Sequence, residues 1–293
     1  MKITNKLNLP APFVAMAQRD YTYEPNEYHV TSLLKGVRET LLERRHADEI
    51  EQDVSDMVWL LFGTAVHNIL EEYECNSDEL QEERIKINFG DYVLSGKFDL
   101  YSDNAKIVTD YKTASVWKII YGDYKDWRQQ LLIYCYMLRQ IGFDAQAGQI
   151  IAFLKDHSKR EAKQNRGYPQ YPVQVIPFNF IENDFVECEK WLNNKFAEIK
   201  ACENLPDDEL PLCTPEERYN SGETYAVMKK GRKKALRVLD NMQDAEQWME
   251  QNGGDWIAVR PGEDKKCIDY CSACKFCNYY NEVVIKNDGD KTI

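Results

Sequence analysis

One block of this chain limits its fold more than any other: three strand-length runs in succession, then a long helix. Ile85 to Asp99 alternates as a strand pair would, with Asn88-Phe-Gly-Asp91 as the turn. Ile107 to Lys112 predicts the next strand, and Arg128 to Leu138 the helix that follows. Gln149–Lys155 and Gln174–Asn179 read as further strands, and Glu182–Cys202 as a helix. Upstream, Val30 to Arg45 fits a helix with Thr31 or Ser32 as its N-cap. A charged segment, 46–56, then leads into an apolar, helix-patterned run from Gly63 to Tyr73. Residues 1–27 contain prolines and read as irregular, 156–172 as a surface loop, and Leu205-Pro-Asp-Asp-Glu-Leu-Pro211 as a linker. A helix, three strands, a helix and further strands fit an α/β core. Periodicity alone does not give its topology.

The same block carries chemistry. Asp99 ends one strand-like run, and Asp110-Tyr-Lys112 stands on the next. Two carboxylates suit a hard divalent cation such as Mg²⁺, which takes oxygen ligands. Lys112 shares a strand face with Asp110, because side chains two apart point the same way. A cation beside an ammonium suits phosphodiester cleavage: one neutralises the phosphate and the other orients or activates water. Gln130 and Tyr134 are four apart and project from one helix face. Each residue also has a plain structural reading. His67 on an apolar helix reads equally as a core histidine, Gln130 and Tyr134 as an ordinary helix pair, and either Asp as a strand end.

Four short motifs stand in order: Gly63/His67, Gly96/Asp99, Asp110/Lys112 and Gln130/Tyr134. In that order and spacing they resemble the PD-(D/E)XK nuclease superfamily, in its RecB-like branch. The likeness implies a restriction-endonuclease-like core, a central mixed sheet flanked by helices. It implies that His67, Asp99, Asp110 and the Tyr111 carbonyl ligate Mg²⁺ or Mn²⁺ and that Lys112 positions the attacking water. Gln130 and Tyr134 would support the site and contact the DNA backbone. The division that follows is an N-terminal helical or irregular region (1–59), a nuclease core (60–204) and a C-terminal region (205–293). The expected activity is metal-dependent cleavage of DNA, on single strands or duplex ends, in phage or bacterial replication, recombination or repair. Replication or recombination proteins would be its further partners. The competing class is a nucleic-acid-binding module that no longer cuts, which has no need of Asp99, Asp110 and Lys112 together.

Composition excludes other classes. No run of eighteen apolar residues exists in the 293, which argues against a membrane span. The N-terminus lacks the long apolar core of a signal peptide, so the cytosol is the expected compartment. A net charge of −12 argues against a general nucleic-acid coat protein. A local basic groove remains open, and Lys229, Lys230, Arg232, Lys233, Lys234 and Arg237 are the candidate patch, with a solvated helix face as the plain alternative.

Nine cysteines in a cytosolic chain read as thiols or metal ligands rather than disulfides. Cys267, Cys271, Cys274 and Cys277 pack four of them into eleven residues. Either all four close a local site, or three join a distant fourth, for which Cys213 is best placed. Here the sequence resembles the RecB-like exonucleases of CRISPR adaptation and their phage-encoded relatives, over most of residues 28–280. That likeness implies Cys213, Cys267, Cys271 and Cys277 around a structural [4Fe–4S] cluster, with Cys274 optional. The chain departs from the family pattern, because Cys213 follows the nuclease motifs and Cys274 is supernumerary. Zn²⁺ on four thiolates is the alternative. Cys75, Cys135, Cys188 and Cys202 read as ordinary core or helix residues. Cys267, Cys271 and Cys274 also have radical-SAM spacing, but too little chain follows them to build a barrel.

Overall fold

A computed structural model of the chain describes residues 1–18 and 24–285. The part of the irregular N-terminal reading that falls on 19–23 lies outside the described residues. The chain divides into two compact units, Met1–Leu205 and Pro206–Ile293.

The first unit runs β1 (Lys2–Thr4), α1 (Ala11–Ala17), β2 (Glu27–His29), α2 (Val30–Leu33), α3 (Val37–Arg45), β3 (Glu51–Asp53) and α4 (Val58–Glu71). It continues with β4 (Glu79–Gln81), β5 (Arg84–Phe89), β6 (Tyr92–Lys97), β7 (Leu100–Ser102), β8 (Ile107–Ala114), α5 (Val116–Tyr121) and α6 (Lys125–Gln140). β9 (Ala147–Leu154), α7 (Lys159–Gln164), β10 (Val173–Asn179) and α8 (Glu182–Cys202) complete it. The central sheet is ordered β10-β9-β8-β7-β4 and is mixed. β8 and β9 are parallel, which requires a crossover, and α5 and α6 supply it. The remaining pairs of that sheet are antiparallel.

Helix α6 is buried without interruption from Gln130 to Leu138. It lies so close to β9 that a Cβ on Gly148 would stand 2.9 Å from Leu131 Cβ. A second sheet, β2-β6-β5, holds the β5–β6 hairpin, where Gly90 takes the positive φ of 57° that the tight turn requires. Phe196 of α8 stacks on Tyr92 and Phe89 of that hairpin, with ring centroids 5.4 and 5.3 Å away. Offset aromatic pairs of this kind add to plain area burial.

Several local readings change. The helix expected over Val30–Arg45 breaks into α2 and α3, because Gly36 adopts an extended backbone and becomes the start of α3. Thr31 and Ser32 lie inside α2, whose N-cap is His29. The proline-containing N-terminus includes α1, which follows Pro10 and carries Pro12 in its first turn, where a missing N–H costs nothing. The loop over 156–172 contains α7.

Gly96 of β6 shows how tightly the first unit is fitted. A Cβ there would lie 2.7 Å from Tyr134 Cε1 and 2.9 Å from Val30 Cγ2. Gly96→Ala is therefore expected to cost about 1–3 kcal/mol by overpacking. Thermal melting checks it, and an unchanged melting temperature would show that the Tyr134 ring has room to yield.

The second unit runs β11 (Thr224–Met228), β12 (Arg237–Leu239), α9 (Met242–Asn252), β13 (Trp256–Arg260) and α10 (Lys265–Asp269). Its sheet is ordered β12-β11-β13, all antiparallel. Sequence patterning did not expose these short strands. The basic run therefore lies not on a helix face but in the turn between β11 and β12 and at the start of β12, with all six cations exposed.

Candidate active site

The antiparallel register of β7 and β8 sets Leu100 opposite Thr109, which brings Asp99 beside the Asp110–Lys112 stretch. The Tyr111 N–H donates to Asp99 Oδ2 at 2.6 Å. From α4, His67 reaches over both: its Nε2 is 3.0 Å from the Tyr111 carbonyl oxygen and its Nδ1 3.3 Å from Asp99 Oδ1. Gly63 sits one turn earlier on the same face. A Cβ at Gly63 would stand 3.3 Å from Thr113 Oγ1, so the glycine lets α4 approach β8 at the height His67 needs.

Asp110 and Lys112 share a face of β8, and Lys112 Nζ lies 2.7 Å from Asp110 Oδ2. Gln130 Nε2 donates to Asp110 Oδ1 and to the Tyr134 hydroxyl, both at 3.2 Å. Gln130 and Tyr134 are buried. Gln130 touches Asp110 directly, and Tyr134 reaches it through Gln130. The Tyr134 ring fills the space that the absent Gly96 side chain leaves. Two motifs far apart in sequence are thus one packing solution.

The charges are arranged against their ordinary states. Burial pushes the Asp110 carboxyl up, Lys112 opposes this, and the Asp99 charge adds to it. The hydrogen bond to Asp99 raises the His67 pKa against burial, with the charges of Asp99 and Asp110 assisting. Both ring nitrogens face acceptors, so the imidazolium suits this geometry, and a cation ligated by His67 must release that proton.

Sequence reasoning missed Glu82, between β4 and β5. Its Oε1 is 3.9 Å from His67 Nδ1, and its other oxygen pairs closely with Lys97. Burial pushes the Glu82 carboxyl up, against the pull of Lys97. Among the described residues, His67, Glu82 and Asp99 are the group of three whose ligand atoms lie within 4.8 Å of one another. Asp110 stands outside that group, held by Lys112 and Gln130, which departs from the expected His67/Asp99/Asp110 shell. Nothing in a single sequence marks Glu82 beyond an acidic pair ahead of β5.

The residues nevertheless fit a divalent cation. A His67 imidazole nitrogen, the Asp99 carboxylate and the Tyr111 carbonyl oxygen come together there, a hard donor set that suits Mg²⁺ or Mn²⁺.

The cysteines behave differently. Burial pushes the Cys267 thiol up to about 12, and the charges of Asp264, Cys213 and Cys277 add to this. Cys213 and Cys277 are thus within electrostatic reach of Cys267, and Cys277 within that of Cys274. No three cysteines among the described residues bring their sulfurs within 4.8 Å of one another. A tetrahedral Zn²⁺ with bonds of about 2.3 Å would hold every pair about 3.8 Å apart, so the expected set is not drawn up as a closed zinc shell. All five thiols belong to the second unit.

A mixed sheet that sets Asp99, just ahead of β7, beside Asp110 and Lys112 of β8, with helices bringing His67 and Gln130, defines a nuclease-type core. The chain belongs to the PD-(D/E)XK nuclease superfamily, whose model matches residues 16–279. No curated protein matches it in sequence. Among solved structures it is similar to SSO0001, with 20% identity and TM-score 0.43, over 64% of this chain and 81% of that one. It is similar to an alkaline exonuclease from Laribacter hongkongensis, with 11% identity and TM-score 0.40, over 60% of this chain and 89% of that one. A phage-related exonuclease from Haemophilus somnus matches with 12% identity and TM-score 0.28, over 57% of this chain and 74% of that one. No helix among the described residues is long and apolar enough to cross a membrane.

Proposed function

We propose that this chain is a cytosolic Mg²⁺- or Mn²⁺-dependent deoxyribonuclease, an exonuclease on single strands or duplex ends in phage or bacterial DNA replication, recombination or repair. The observation that carries the reading is the meeting of His67, Asp99 and the Tyr111 carbonyl next to Asp110, whose carboxylate is paired with Lys112. These four groups would hold the ion, which when bound supplies charge to the scissile phosphate and acidity to water. Lys112 orients the attacking water and stabilises negative charge. Gln130, fixed by Tyr134, holds Asp110 in its rotamer.

Incubation with end-labelled single- and double-stranded DNA tests this, with Mg²⁺ or Mn²⁺ and with EDTA. Loss of label that EDTA stops supports the proposal. Binding without cleavage would make the chain a silent nucleic-acid-binding module instead.

Two further parts of the reading concern the second unit. The six exposed cations at residues 229–237 have no ion-pair partner among the described residues and would meet phosphates. Replacing Lys233 and Lys234 with alanine is expected to flatten the salt dependence of DNA binding by about 1 to 2 in logarithmic slope, since each phosphate contact contributes about 0.9. Parallel slopes for variant and parent would make the run a solvated turn. The thiols of Cys213, Cys267, Cys271 and Cys277 would hold a metal centre. A [4Fe–4S] cluster, which Cys thiolates hold, is the reading of that centre, with Zn²⁺ as the alternative.

A further inference from the structure

The ligand atoms that come together in the first unit do not include Asp110. They belong to His67, Asp99 and Glu82, all within 4.8 Å of one another. Glu82 is the member that the four motifs do not name, and several features hold it there. Its residue has a φ of 53°, a left-handed backbone that L side chains other than Asn and Asp seldom adopt. Such conformations persist where surrounding structure over-determines them, and they concentrate at functional sites. The tether is visible: the Glu82 N–H donates to the Asp99 carbonyl oxygen at 3.0 Å, directly after the last β4–β7 pair, Gln81 with Leu100. One backbone bond thus fixes Glu82 to the residue whose carboxylate faces it.

The side chain has two competing attractions. One oxygen lies 3.9 Å from His67 Nδ1, and the other is engaged by Lys97, whose ammonium also reaches Glu71 at 3.2 Å. Lys97 is partly exposed, whereas Glu82 is largely covered. A carboxylate turned inward toward His67 and Asp99, and held from outside by a partly exposed cation, has a natural second position. The Tyr111 carbonyl oxygen, 3.0 Å from His67 Nε2, adds a neutral oxygen donor beside the same group.

We propose that Glu82 is an additional carboxylate ligand of the divalent ion and that Lys97 is its latch, competing with the ion for the carboxylate. This rests on the metal-dependent reading above and extends it. With Glu82 the protein offers three carboxylates, an imidazole and a carbonyl oxygen, a hard set suited to Mg²⁺ or Mn²⁺. The latch keeps the extra charge neutralised until the ion arrives. Its release costs little, because an exposed ammonium returns to water.

The test is Mn²⁺ binding to the full chain without DNA, by calorimetry and by the Mn²⁺ electron paramagnetic resonance signal, with Asp99→Asn as the positive control. Glu82→Gln is expected to weaken Mn²⁺ by about tenfold or more. Lys97→Met is expected to tighten it, because the competing cation is gone. The opposite signs matter, since a merely structural Glu82–Lys97 pair would give losses in both variants. Glu82→Gln binding like the parent, or Lys97→Met binding more weakly, overturns the inference while the nuclease reading stands. Failure of the parent itself to bind Mn²⁺ removes both.

Discussion

Asparagine at Asp110 is expected to reduce cleavage of end-labelled DNA about a thousandfold or more while leaving the fold as stable as the parent, or more so. Stabilisation of several kcal/mol is the usual contribution of a bound ion. At about 1.4 kcal/mol per factor of ten, losing about 4 kcal/mol gives that fall. The stability half follows from burial. The Asp110 carboxyl is fully enclosed, and burial pushes its pKa above the ordinary 3.8. A group with a raised folded pKa holds its proton more tightly in the folded state. Folding free energy is therefore lost as pH rises from 3.8 through the folded value. Asparagine never ionises, so the advantage of Asp110→Asn should vanish in acid and grow toward neutral pH. It keeps an oxygen for Gln130, which donates to Oδ1 in the parent. Lys112→Ala should fall as far in activity but without that stability gain, because it leaves the buried carboxylate without its countercharge. Parent-like cleavage by either variant would remove the chemistry from these residues.

What the sequence disclosed depended on element length and on motif order. The β5–β6 hairpin, β8, α6 and α8 are long and strongly patterned, and they stand where alternation and helical spacing place them. β4 and β7 have three residues each, too few for a period, although β7 sets Asp99 against Tyr111. The roles of the two motif glycines were invisible for a different reason. Gly63 and Gly96 matter through what a Cβ would strike, Thr113 in one case and Tyr134 with Val30 in the other. Those neighbours are distant in sequence, so only the fold connects them. Glu82 escaped notice because its place depends on a backbone bond to Asp99 and a left-handed φ, neither of which a residue type announces. The motifs named Asp110 as a ligand but could not reveal its contacts with Lys112 and Gln130. In the second unit the five thiols were plain to read, whereas their spacing depends on turns that carry no periodic signal.

Serine at Cys267 is expected to be the most destabilising single change in the second unit. Among its described residues, the buried apolar side chains are Leu210, Ala226, Val227, Ala245, Ala273 and Val284. Three of the six are alanines, so the apolar area removed from water is small. A unit of this size with so thin a core usually needs a staple. Polar contacts supply part of it: Asp264 accepts from Asn220 at 2.6 Å and from the Tyr279 hydroxyl at 2.7 Å. The thiols are the remaining candidate, and the Cys267 thiol feels the charges of both Cys213 and Cys277. Metal binding to such thiolates is folding free energy, so losing the metal should melt Pro206–Ile293 rather than alter the chemistry at Asp110. Each 1 kcal/mol lost should lower the melting temperature of a unit this small by about 4–8 °C. Protein purified without oxygen should be brown and contain iron and acid-labile sulfide if the thiols hold a cluster. Colourless protein with about one zinc per chain would decide for the tetrahedral site. Under either metal, Cys267→Ser should lose it, and limited proteolysis should then cut first beyond Leu205. Metal content and melting equal to the parent in Cys267→Ser would leave that thiol a bystander and the thin core self-sufficient.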